Sequence, residues 1–139
     1  MQQSETQIQL TSIGCGTFHY LPPECLGSQG VMMISPKVDI WSVGIIFYIL
    51  LFGKKPFTQD AGGMKAFKEK MIDRRYILNF PEGRNISENS RKLIELFLRF
   101  DPEDRPDPSE ALKAFYQNTN QSNSWVNFIM KDPLLTDNE

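Results

Sequence analysis

The chain has 139 residues, 40% of them apolar and 12% aromatic, which is enough to bury the core of one ordinary domain and excludes a disordered tail. Its formal net charge of −2 argues against a generally basic nucleic-acid binder. Cys15 and Cys25 are the only cysteines and His19 the only histidine, so neither a disulfide framework nor a zinc site is expected, and the thiols read as reduced and intracellular.

Residues 1–13 have neither a basic start nor a long apolar run, so no signal peptide is expected. Residues 14–24 combine glycines and prolines with Phe18, Tyr20 and Leu21. This spacing predicts an ordered loop, because linkers do not spend aromatics. Residues 27–36 read as a second loop.

A helix is expected to begin between Ser35 and Asp39, with Ser35 as cap and Pro36 in the first turn. Its body, Ile40 to Gly53, is uncharged. That is short of the roughly 20 residues a membrane span needs, and apolar groups cover every face. It reads as a helix buried inside a protein, ended by Gly53 and blocked by Pro56. A second helix is predicted over 61–73, with Met64, Phe67 and Met71 on its inner face. Residues 74–86, with Pro81 and Gly83, form a connection.

A third helix is predicted over 87–100, capped by Ser87, with an inner stripe of Leu93, Leu96, Phe97 and Phe100. Asp101-Pro102 stops it. A fourth starts at Asp107, where Pro108 and Glu110 complete a capping box. Ala111, Leu112 and Phe115 are expected to face inward. Residues 117–124 are a low-complexity polar spacer. The apolar segment after it is expected to dock on the body, the alternative being an exposed anchor for a partner. The class is mainly α, yet helices of this length cannot cover an all-apolar helix from every side. The sequence thus predicts that part of that helix's surroundings lies elsewhere.

Four blocks recur in a fixed order. Gly16-Thr17-Phe18-His19-Tyr20-Leu21-Pro22-Pro23-Glu24 has the form G-T-x-x-Y-x-x-P-E. Asp39-Ile40-Trp41-Ser42-Val43-Gly44 has D-x-W-S-x-G. Gly53 to Phe57 has G-x-x-P-F, and Asp101 to Pro106 has D-P-x-x-R-P. Together they resemble the helical C-terminal lobe of eukaryotic protein kinases over about residues 8–116. The wording is nearest the tousled-like serine/threonine kinases, through Leu10-Thr11-Ser12, Tyr20 to Cys25 and Ile34 to Asp39.

The resemblance implies a partial kinase domain over 1–116, with the distal activation segment in 1–24 and the helical lobe in 25–116, followed by a spacer and C-terminal segment in 117–139. It implies a substrate-receiving loop containing Gly16, Thr17 and Tyr20, with Thr17 supporting the catalytic-loop Asp and Lys. Taken alone, Thr17 is a turn hydroxyl. It implies a buried ion pair between Glu24 and Arg105, and Trp41 packed under the substrate loop. Asp39 would hold the catalytic-loop backbone, and by its position it is also a candidate helix cap. Thr11 and Ser12 become candidate phosphorylation sites. Helix 61–73 becomes a docking site for protein substrates and partners.

The family's reaction moves the ATP γ-phosphoryl group to protein Ser or Thr with Mg2+. It needs a Gly-rich loop, a strand Lys, a catalytic Asp and Asn, and a DFG Asp. None of these patterns occurs in the sequence. By family order they would precede Met1, in upstream kinase segments that become the first expected partner. The chain alone is therefore expected to be inactive and to bind neither ATP nor Mg2+. The alternative is a noncatalytic, kinase-derived binding module. No nucleic acid or membrane is expected as partner. The cell interior is expected, nuclear or cytoplasmic, with the nucleus implied by the subgroup resemblance alone.

Overall fold

The computed structural model describes residues 18–27, 35–59 and 61–119. Their order is a single 3-10 turn at Phe18–Tyr20, then α1 (Pro23–Leu26), α2 (Lys37–Phe52), α3 (Gly63–Ile72), α4 (Glu88–Phe97) and α5 (Pro108–Thr119). No strand forms among the described residues. The short helix α1 lies where sequence periodicity predicted only a loop. Pro22 is extended, as a residue before proline must be, and Pro23 occupies the first helical position. Four residues are too few to leave a periodic signal.

Helix α2 is the axis of the lobe. Ser35 accepts the Lys37 amide at 3.3 Å, and Pro36 already has helical angles, so the expected start is met. Gly53 ends the helix with φ 70°, and its amide returns to Ile49 O at 2.7 Å. That left-handed position favours glycine. Trp41, Ile45, Tyr48 and Phe52 of α2 form the main core with Phe57, Phe67, Met71, Ile94 and Leu98. A second cluster joins Ile40 to Leu93 and Phe97 of α4 and Ala111 of α5. Gly44 is the point of closest approach between α2 and α4, where a side chain would meet Leu98 and Phe97.

The connection after α3 has no helix, yet three side chains fix it. Tyr48 donates to Asn79 O at 2.7 Å, Tyr76 to Thr58 O at 2.7 Å, and Arg84 to Leu51 O at 2.8 Å. The last contact places a cation at the C-terminal end of α2, where the dipole favours one. Phe67 and Met71 of α3 are buried as expected, and Met64 packs against them.

Two expectations fail in detail. Helix α4 ends at Phe97 rather than running to residue 100, because the Arg99 and Phe100 carbonyls turn toward the Arg105 guanidinium instead of continuing the helix. Leu112 is 54% exposed rather than inward-facing. Ala111, Ala114 and Phe115 carry the inner face of α5, and Leu112 falls beside that stripe. The capping box does form: Glu110 N donates to Asp107 at 2.8 Å and Asp107 N to Glu110 at 2.9 Å.

Along one side of α2, Val43, Ile46 and Leu50 remain 49%, 49% and 76% exposed. Their spacing of three and four residues makes a continuous apolar stripe on a helix otherwise built into the core. No helix among the described residues is long and apolar enough to cross a membrane.

Candidate functional site

The site is built around Arg105. Asp101 prepares its position: the Asp101 carboxylate accepts the Glu103 amide at 3.0 Å, and the Arg105 amide closes a turn on Pro102 O at 3.3 Å. The hydrogen bond from the Glu103 amide, with Arg74 at 3.4 Å, holds the Asp101 carboxyl below its ordinary range. The turn sends the Arg105 side chain inward, where none of it is exposed. Nη1 donates to Glu24 Oε1 at 2.8 Å and Lys37 O at 3.0 Å. Nη2 donates to Glu24 Oε2 at 3.3 Å and Arg99 O at 2.9 Å, and Nε to Arg99 O at 3.1 Å. The pairing with Glu24 is thus forked, which a lysine could not reproduce. Glu24 keeps 24% of its side chain exposed, so the pair is buried at the arginine and half-buried at the carboxylate.

One guanidinium therefore joins three pieces of chain: α1, the first residue of α2, and the turn between α4 and α5. Trp41 is its floor. The Trp41 ring is fully buried, 5.1 Å from the guanidinium carbon. It stacks on Phe57 at 5.7 Å and meets Phe100 edge-on at 5.5 Å. G-x-x-P-F and D-P-x-x-R-P thus converge on D-x-W-S-x-G.

The described part of the loop, from Phe18 onward, is fixed from two sides. Ser42 Oγ donates to Tyr20 O at 3.0 Å. Ser42 stood inside the D-x-W-S-x-G block, but spacing alone gave it no role. On the other side the His19 ring meets Phe67 of α3 edge-on at 5.0 Å, and Lys68 Nζ stands 4.2 Å from the centre of the Phe18 ring. Asp39 lies in the first turn of α2, exposed, where its charge complements the helix dipole. It does not cap the helix, because the Ser35 hydroxyl takes the end amide. Thr11, Ser12, Cys15, Gly16 and Thr17 lie outside the described residues, as does the segment after the polar spacer.

Burial, and then the charge of Glu24, push the Cys25 thiol up to about 11, so it stays protonated and is no nucleophile near neutrality. Burial, and then the Lys55 charge, lower the pKa of His19 from 6.5. The unfolded chain consequently holds that proton more tightly than the folded one. The stabilising effect of neutral His19 is complete above pH 6.5 and is lost as pH falls below it. Thermal melts between about pH 7.5 and 5.5 should show a falling melting temperature, and His19→Gln should flatten most of that slope. An unchanged slope in the variant would assign the effect elsewhere.

Among the described residues no three Asp, Glu, His or Cys side chains gather into a metal site, and the sequence carries no phosphate-cradling Gly-rich loop. What the geometry can do is hold the Phe18–Leu26 segment rigidly against a helical base.

A family model of the protein kinase domain matches residues 1–117. The chain is 46% identical over 101 residues to the serine/threonine-protein kinase TOUSLED of Arabidopsis thaliana, covering 72% of this chain and 15% of that protein. It is 36% identical over 126 residues to the human serine/threonine-protein kinase tousled-like 1, covering 88% of this chain and 16% of that one. It is also 33% identical over 133 residues to the DNA damage response protein kinase DUN1 of Saccharomyces cerevisiae, covering 96% of this chain and 25% of the relative. The chain thus spans a quarter or less of the length of these relatives. With its helical architecture, these matches place the chain in the protein kinase family, as a helical C-terminal lobe related to the tousled-like serine/threonine kinases.

Proposed function

We propose that this chain is the substrate-side part of a serine/threonine protein kinase, which transfers the ATP γ-phosphoryl group to a protein Ser or Thr hydroxyl. The observation that carries this reading is the Arg105 hub, which ties the loop ending in Glu24 to the start of α2 and the α4–α5 turn. In this reading Gly16, Thr17 and Tyr20 receive the substrate segment, and Thr17 supports the catalytic Asp and Lys. Those two residues, with the Gly-rich loop and the DFG Asp, come from upstream kinase segments. ATP and Mg2+ bind there, and the chain alone binds neither and turns nothing over. Residues 1–116 form the kinase part, and 117–139 a spacer and tail. Thr11 and Ser12 are candidate phosphorylation sites that would order the activation segment. The enzyme works inside the cell, in the nucleus or cytoplasm.

The Val43–Ile46–Leu50 stripe supports the same reading. With Asp39 it forms one face of α2, at 39, 43, 46 and 50. The upstream segments would cover the apolar part, and the Asp39 carboxylate would accept backbone amides of the catalytic loop. An uncovered apolar face of this kind marks a surface that another protein segment covers.

Supplying the upstream kinase half of the Arabidopsis relative, by fusion or in trans, should produce ATP-dependent phosphorylation of a protein substrate that neither half gives alone. Leu50→Lys should abolish that complementation. Because Leu50 is already exposed, it should shift the chain's own melting temperature by only about 2 °C. ATP turnover by the pure chain alone would overturn the reading.

A further inference from the structure

The turn at Phe18–Tyr20 lies against Lys68 and within the electrostatic reach of Lys55. Lys68 of α3 holds its ammonium 4.2 Å from the Phe18 ring centre. Lys55 precedes Phe57, which stacks on Trp41, and its charge is felt at His19. Both lysines are half-buried. Three surface cations meet carboxylates: Arg75 meets Asp73 at 2.9 Å, Arg74 meets Asp101 at 3.4 Å, and Lys92 reaches Glu88 at 4.0 Å. Among the described residues neither Lys55 nor Lys68 has such a partner.

This arrangement has an electrostatic consequence. The Phe18 ring displaces water on one side of the Lys68 ammonium. Low-dielectric walls focus a field and weaken its screening. Lys68 therefore brings a positive charge to the turn, and Lys55 acts on it electrostatically, although the chain as a whole is acidic, at −2. The cation–π contact holds Lys68 in place without neutralising it.

We propose that Lys68, together with Lys55, selects protein substrates that carry acidic side chains next to the phosphoacceptor residue. The inference rests on the reading of residues 16–20 as the substrate-receiving loop. It adds a substrate class to that loop: an acidic peptide, whose carboxylates supply counter-charges to the two lysines.

The test uses the whole 139-residue chain and two fluorescein-labelled peptides that differ only in glutamates or glutamines flanking a single serine. Fluorescence anisotropy at low ionic strength should show the glutamate peptide binding about fivefold more tightly, with the advantage shrinking as salt is added. Lys68→Gln should bring the two affinities within about twofold of each other. Lys68→Glu should reverse the preference toward a third peptide carrying lysines at the same positions, a gain that damaged folding cannot mimic. Equal binding of the first two peptides, or a glutamate preference that survives in the Lys55→Gln, Lys68→Gln double variant, overturns the inference and leaves the loop assignment standing. Failure of every peptide to bind overturns both.

Discussion

Arg105→Ala is expected to lower the melting temperature of the chain by about 15 °C, corresponding to about 3 kcal/mol for a body of this size. The reason is the number of acceptors that one side chain serves. Its guanidinium bonds Glu24 twice, Lys37 O, and Arg99 O twice, with none of its surface in water. Alanine removes every donor and leaves a void above Trp41. The carbonyls of Lys37 and Arg99 then lose buried partners, and each such loss costs about 1 kcal/mol or more.

Glu24→Gln should be milder, about 1–2 kcal/mol, because Glu24 is 24% exposed and glutamine keeps one acceptor toward the guanidinium. This asymmetry is the decisive part of the prediction. Two independent surface charges would give two small and equal effects. Amide hydrogen exchange should show the same hierarchy: Phe18 to Leu26 should open in Arg105→Ala before α4 does, because the loop loses its forked tie to Arg105. A melting temperature unchanged in Arg105→Ala would overturn the hub.

Gly44→Ala is expected to destabilise the chain by about 2 kcal/mol, against the usual direction for a helix interior. On propensity alone, alanine would gain about 1 kcal/mol. The tertiary contact outweighs this gain. A Cβ at position 44 would stand 2.8 Å from Leu98 Cδ2 and 2.9 Å from Phe97 Cβ. Leu98 has a flexible end and can move, but Phe97 Cβ is fixed to the α4 backbone. The helices must therefore separate, loosening Ile94 and Phe97 in the two clusters that α4 serves. Gly44→Val should cost more again, since its second branch meets the same wall. Chemical denaturation of the three chains should rank them Gly44, Ala, Val in falling midpoint. A more stable alanine variant would mean that α2 and α4 do not approach this closely.

The lessons of sequence and structure differ by element. Where the signal is local, the sequence sufficed. Ser87 accepts the Ser90 amide at 3.2 Å, Asp107 and Glu110 exchange amide bonds, and Gly53 turns left-handed, each as spacing predicted. These interactions join residues three or four apart, so they are legible without a fold. The all-apolar body of α2 also announced a central helix, and its incomplete cover is visible in Val43, Ile46 and Leu50.

What the sequence could not determine was set by partners distant along the chain. Leu112 lies outward because α4 meets α5 through Ala111, Ala114 and Phe115, and hydrophobicity alone does not say which side a neighbour will take. Helix α4 stops at Phe97 because the carbonyls beyond it serve Arg105. Ser42 reaches Tyr20, and Tyr48 reaches Asn79, across separations that no periodicity encodes. The order of the motif blocks in sequence carried the family, and hence the expectation that Glu24 and Arg105 meet. Only the folded chain shows what that meeting is built from: a buried guanidinium whose charge is tolerated because carboxylate and carbonyl oxygens from three separate segments surround it. Local bonds were readable because their geometry is fixed by the backbone. The hub was not, because burial and three-way convergence exist only after α1, α2 and the α4–α5 turn have packed together.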